Sequence, residues 1–173
     1  MKQTVSTTVR KIEVQRFGVT SSKPFQAVLA SLQSAIGQPS MSEFDKDVAS
    51  AAAYKDLEQV VGKAVGSSGL MEFMRLDLGG VLGKERGPQA PTALRLIVGN
   101  PLIMKQMLEH VPDAGSYAPV TILIDERPDG VHLSYDRVAS FLSTYQNEQA
   151  LKVAKDLDSK VEALLTTAAA SDL

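Results

Sequence analysis

The stretch from Gly99 to Tyr135, GNPLIMKQMLEHVPDAGSYAPVTILIDERPDGVHLSY, constrains the fold more than any other part of the chain. Asn100 is a good N-cap, and Pro101 suits the first helical position, where a missing N–H costs nothing. Leu102, Ile103, Met107 and Leu108 supply an apolar helix face that must stop before Pro112. Val120 to Glu126 is almost entirely apolar, which predicts a central, buried strand. Arg127-Pro128-Asp129-Gly130 then fits a type I turn followed by a left-handed glycine, so Val131 to Tyr135 returns antiparallel. A helix feeding an antiparallel hairpin points to an α+β fold.

The other elements follow from periodicity. Val9 to Phe17 alternates as a strand, with Ile12 and Val14 on one face and Lys11, Glu13 and Gln15 on the other. Ser21 or Ser22 would cap a helix carrying Phe25, Val28, Leu29, Leu32 and Ile36 at helical spacing, and Gly37 would end it. Ser42 would cap a short helical turn, and a helix is expected from Tyr54 to Val65 although Gly62 weakens it by about 1 kcal/mol. Strands are expected at Leu70–Leu78 and Ala93–Val98. The glycine-rich segment LGGVLGKERG between them reads as an irregular edge, with at most a short strand from Val81 to Lys84. A long amphipathic helix should run from Asn147 to Ala168, with Leu151, Ala154, Leu157, Val161, Leu164 and Leu165 on one stripe. The expected order is β-α-(α)-β-β-α-β-β-α. That describes a two-layer α+β domain, a mainly antiparallel sheet with its helices on one face, occupying residues 1–173 as a single domain.

Composition removes several function classes. With 18 Lys+Arg against 20 Asp+Glu, the chain has no cationic excess with which to bind nucleic acid through a broad basic surface. There is no cysteine, which rules out disulfides, zinc–thiolate sites and a cysteine nucleophile. No run approaches the roughly 20 apolar residues of a membrane span, and the first residues lack the apolar stretch of a secretory signal. A cytoplasmic protein without membrane or nucleic-acid partners is the expectation. Two histidines cannot build a histidine-rich metal site, so neither a metal nor a cofactor is expected.

The Gly99–Tyr135 segment resembles the bacterial and fungal family called domain of unknown function 302. The residues that carry the resemblance are Gly99-Asn100-Pro101, Pro119, the apolar run Val120–Ile124, and the hairpin into Ser134-Tyr135-Asp136. It is strong over residues 92–136 and weaker over the first strand and helix and over Met71–Leu76. The family implies a compact two-layer α+β domain that forms a homodimer, and it implies no activity. Many relatives place a cysteine after the loop proline, whereas Val120 stands there in this chain.

Candidate chemistry is sparse. Arg75, Asp77 and Arg95 are polar positions on otherwise apolar strands, and Arg75 and Arg95 would face one cleft if their strands pair in register. Such a cleft would recognise a carboxylate or phosphate; the alternative is a structural pair of an arginine with Asp77 or Asp125. His132 shares a strand face with Ser134 and would lie near Asp125 or Glu126, but no Gly-x-Ser-x-Gly elbow activates a serine. His110 sits at a helix C-terminus, where a cation is favoured. LGGVLGKERG lacks the G-x-x-x-x-G-K-[ST] order of a phosphate loop. Met71, Met74, Met104 and Met107 would either line an adaptable apolar pocket or fill the core. Three functions stay open: a homodimeric binder of a small anionic ligand, using Arg75, Asp77, Arg95, Asp125 and His132; an enzyme acting on an anionic metabolite through these residues; and a structural interaction module.

Overall fold

The computed structural model describes residues 5–170. Its centre is a five-stranded sheet made of β1 (Arg16–Ser21), β2 (Met71–Asp77), β3 (Ala93–Gly99), β4 (Val120–Arg127) and β5 (Gly130–Asp136). The strand order is β1-β5-β4-β3-β2, and every pairing between these strands is antiparallel. Seven α-helices accompany them among the described residues: α1 (Phe25–Ala35), α2 (Met41–Ser50), α3 (Tyr54–Ala64), α4 (Leu78–Arg86), α5 (Pro101–Leu108), α6 (Val138–Leu142) and α7 (Glu148–Ala169). The α+β class and the antiparallel sheet expected from the sequence are both present.

The alternation of β4 decides which sheet face is buried. Val120, Ile122 and Ile124 point to the helices and are at most 2% exposed, whereas Thr121, Leu123 and Asp125 point the other way. Leu96, Val98, Leu133 and Tyr135 join the covered face across the ladder. Against it pack Val28 and Leu32 of α1, Met107 of α5, and Leu157, Val161 and Leu165 of α7. The stripe read on the C-terminal helix is therefore used up inside the molecule, where Leu157, Val161 and Leu165 are at most 2% exposed. A second apolar cluster seats α2 and α3 beside the β2 edge, through Phe44, Val61, Ala64 and Met71.

Three local expectations need correction. Residues 5–15 contain no strand, and β1 begins at Arg16, because its ladder partners are Val131 to Asp136 rather than anything opposite Ile12 and Val14. The glycine-rich segment is a helix, not an irregular edge. Asp77 caps α4 by accepting from the Gly80 N–H at 2.7 Å, and a Cβ at Gly79 would lie 2.8 Å from the Ala93 backbone N. Glycine there permits α4 to lie on the start of β3, so close approach outweighs its poor helix propensity. Ser21 does not cap α1, which starts at Phe25 after Pro24. Instead its hydroxyl donates to the Ala169 carbonyl at 2.7 Å and ties β1 to the end of α7.

Asn100 behaves as its sequence position demands. Its Oδ1 accepts from the Leu102 N–H at 2.8 Å, and its Nδ2 donates to the Gly69 carbonyl at 2.9 Å. Gly99 before it is needed for space, since a Cβ would lie 2.9 Å from Pro119 Cβ. The link between sheet and C-terminal helix is polar. Asp158 of α7, 5% exposed, accepts from the Val138 and Ala139 N–H groups at 2.8 and 2.9 Å, closing the start of α6. The Tyr135 hydroxyl donates to the same carboxylate at 3.2 Å.

Candidate functional site

Register places the two candidate arginines. Over Met71↔Gly99 and Glu72↔Val98 the β2–β3 ladder is regular, and that register, continued, would set Arg75 opposite Arg95. A bulge intervenes between Glu72 and Met74, after which Arg75 faces Leu96 and Leu76 faces Arg95. One extra residue moves a side chain to the other face of a sheet. Arg75 thus points with buried Leu96 to the helix-covered side, and Arg95 points to the open side. The cleft shared by Arg75 and Arg95 does not form.

Arg75 is saturated. Its Nε and Nη2 donate to the two carboxylate oxygens of Glu72 at 3.0 and 2.7 Å, a forked pair that the bulge makes possible by bringing residues three apart onto one face. Oriented to satisfy both groups, the Gln33 amide oxygen of α1 also accepts from Arg75 Nη1 and Nη2, at 3.0 and 2.8 Å. Neither Asp77 nor Asp125 is its partner. Asp77 caps α4, and Asp125 is held by Arg127 Nε at 2.6 Å. Arg75, Asp77 and Asp125 are accounted for as structural groups.

Arg95 is different. It lies in a concavity of about 450 Å³ on the open face. The floor is two side-chain rows: Arg95, Leu123 and Ser134 in one, Thr121, Asp136 and Arg16 in the next. Leu78, at the start of α4, closes one side, while Ser116, Tyr117 and Pro119 before β4 and Phe141 of α6 form another. Tyr117 and Phe141 stack with ring centroids 4.5 Å apart and planes 5° from parallel. The Tyr117 hydroxyl is 2.8 Å from that of Tyr145, whose ring lies under the Arg10 guanidinium at 4.2 Å. That contact with Tyr117 raises the Tyr145 pKa above the usual tyrosine value, so the hydroxyl stays protonated. The aromatic wall is thus braced from behind.

The charges in the concavity are Arg16, Asp136 and Arg95. Arg16 Nε and Nη2 donate to Asp136 at 2.7 and 3.0 Å, so those two neutralise each other. Arg95 forms no ion pair and no side-chain hydrogen bond among the described residues. It is an exposed cation flanked in its row by Leu76 and Leu123.

His132 shares this sheet face but stands outside the concavity. Its Nε2 is 2.8 Å from Asp129 Oδ1 and its Nδ1 3.4 Å from Thr20 Oγ1. Asp125 is its ladder partner but turns to Arg127, and no hydrogen bond joins His132 to Ser134. The site that sequence reasoning proposed therefore divides, and only Arg95 of its members enters the concavity. Arg16, Tyr117, Asp136 and Phe141 were missed. The methionines divide too: Met71 and Met107 are fully buried in different clusters, and Met74 is 54% exposed. No group of three His, Cys, Asp or Glu residues among those described is placed to hold a metal ion, and no described helix is long and apolar enough to cross a membrane.

Fold and site together define a two-layer α+β protein that covers one sheet face with helices and leaves a polar-and-aromatic concavity on the other. The family model titled Domain of unknown function DUF302 matches residues 46–168, and the chain belongs to that family. The match takes in most of α7, which the resemblance read from the sequence left out, and it begins beyond β1 and α1. Among solved structures the chain is similar to that of an uncharacterized conserved DUF302 protein from Bacillus stearothermophilus. The two are 12% identical with a TM-score of 0.62, over 88% of this chain and 97% of that one. This is a likeness of fold. No curated protein matches the chain.

Proposed function

We propose that this protein binds a small anionic ligand in the open-face concavity, with Arg95 as the charged contact. The observation that carries the reading is that, among the described residues, Arg95 alone of the cavity's charged side chains has no partner, on a floor that also carries the hydroxyls of Thr121 and Ser134. Pockets of a few hundred Å³ with a few convergent polar groups are the usual form of small-molecule sites. Arg75, Asp77, Asp125 and His132 fall outside the proposal, because the first three have structural partners and the fourth lies away from the cavity.

A thermal-shift series with small anionic metabolites and their neutral analogues tests it. A ligand specific to the native state at a hundred times its Kd stabilises by about 2.7 kcal/mol. The anions should raise the melting temperature of the wild type and leave Arg95→Ala unmoved. Identical shifts in both proteins, or none in either, would overturn the reading.

Assembly as a homodimer belongs to the same proposal. Met74 and Leu76, 54% and 38% exposed, stand side by side on the open face of edge strand β2, an apolar strip suited to a second copy. Light scattering at increasing concentration should give twice the chain mass, and Met74→Ser with Leu76→Ser should halve it. A wild type that stays monomeric throughout removes this part.

A further inference from the structure

Resting on the anion-binding reading of the concavity, we infer that its ligand class is a monocarboxylate whose charged end is separated by a short chain from an aromatic or other flat apolar body. Three features lead there. The first is charge. With Arg16 and Asp136 bound to each other, a single uncompensated positive charge remains, at Arg95. One unit of negative charge balances it, whereas a dianion would bring a second charge to a site with no free cation left and an aspartate nearby.

The second is the kind of donor. An arginine fork matches the two oxygens of a planar carboxylate, and the remaining polar groups in the floor are hydroxyls, Thr121 and Ser134. A phosphate site is built instead from backbone N–H groups converging at a helix start. The helix start that borders this cavity, at Leu78 of α4, is already capped by Asp77, and eight of the thirteen lining residues lie on strands.

The third is the separation of charge from aromatic surface. Arg95 is level with Leu123 in the ladder. The stacked Tyr117–Phe141 wall lies at the other end, before β4 begins at Val120. Three to four residues of strand at about 3.3 Å each put that wall roughly 10 Å from the Arg95 row. The row between the two is Thr121 with the mutually paired Asp136 and Arg16, and Leu123 and Pro119 supply apolar surface at its two ends. A ligand with a carboxylate at one end and a ring at the other spans this distance in an extended conformation.

Calorimetric titration of the full chain at neutral pH with 4-phenylbutyrate, its primary amide, butyrate, succinate and inorganic phosphate reads each feature separately. 4-Phenylbutyrate should bind at least tenfold tighter than any of the other four. Arg95→Ala should weaken 4-phenylbutyrate at least tenfold and leave the amide unchanged, with Arg95→Gln as a second variant and circular dichroism confirming that both are folded. Phe141→Leu should weaken 4-phenylbutyrate and not butyrate. If succinate or phosphate binds tighter than 4-phenylbutyrate and loses that affinity in Arg95→Ala, the monocarboxylate class is wrong while the anion site stands. If the amide binds as well as the acid, or no probe responds to Arg95→Ala, both fail.

Discussion

Arg75 and Arg95 sit on adjacent strands of one sheet and have opposite fates. The first lies on the helix-covered face and is held by Glu72 and Gln33; the second lies on the open face and has no side-chain partner among the described residues. The two faces impose different rules on the same side chain. Under the helices a charge must be paired, because water is scarce and desolvation is costly. On the open face a charge is tolerated without a partner, and its pairing capacity is kept for something outside the chain. The extra residue in the bulge between Glu72 and Met74 turns Arg75 to the covered face, whereas Arg95 takes the open face from the plain alternation of β3 opposite β4.

The largest effect should come from truncating neighbours on β4 that differ only in face. Ile122 is fully buried, and Ile122→Ala should cost about 2–5 kcal/mol of unfolding free energy. Leu123 is partly exposed in the concavity floor, and Leu123→Ala should cost about 1 kcal/mol or less. Urea denaturation measures both. Similar losses would mean that the open face is covered in solution, by a second copy or otherwise.

Next comes Asp158, the polar tie within the covered side. Asp158→Ala would strand the buried Val138 N–H, the Ala139 N–H and the Tyr135 hydroxyl, and should cost about 2–4 kcal/mol. Hydrogen exchange should show the loss concentrated in α6. Uniform loss of protection across the sheet would argue instead that the carboxylate supports the whole fold.

How much of this was legible beforehand depended on whether a residue's role was local. Asn100, Pro101, Pro128 and Gly130 act on neighbours one to four positions away, and the helix and hairpin they mark were read correctly. Asp77 was singled out as a site residue although its role is also local; glycines two and three positions on disguised the helix it caps. Val9–Phe17 misled for the opposite reason, since alternation alone does not supply a strand with a partner. The concavity was illegible because it needs long-range facts. Arg16 meets Asp136 only through the β1–β5 register, Tyr117 meets Phe141 only through packing, and a bulge leaves no clear mark in the sequence.

A smaller effect separates the two arginines directly. Arg75→Ala leaves Glu72, whose side chain is 14% exposed, without its cation and should cost about 1–2 kcal/mol. Adding Glu72→Gln to it should recover part of that loss. Arg95→Ala removes no pair and should stay within about 0.5 kcal/mol of wild type. Equal costs would show that Arg95 has a structural partner after all, and the ligand proposal would lose its basis.

The smallest effect is a slope with pH, and its sign separates the buried carboxylate from the exposed ones. Burial raises the pKa of Asp158 above the usual carboxylate value, outweighing the Val138 and Ala139 N–H groups that lower it. Between its unfolded and folded pKa values the native state holds more proton than the unfolded chain, so stability falls as pH rises through that window. The contribution is complete below the unfolded value and is lost above the folded one. Asp129 and Glu109, exposed beside His132 and Lys105, have lowered pKa values and run the other way, losing their contribution as pH falls through their folded values. Asp158→Asn keeps the shape and cannot titrate. The stability of the wild type minus that of Asp158→Asn, followed by urea denaturation from acid to neutral pH, should therefore be greatest in acid and decline as pH rises. A difference independent of pH would mean that the hydrogen bonds at the start of α6 offset the burial of the charge in full. The polar tie under the helices would then be as well solvated, in effect, as the exposed carboxylates.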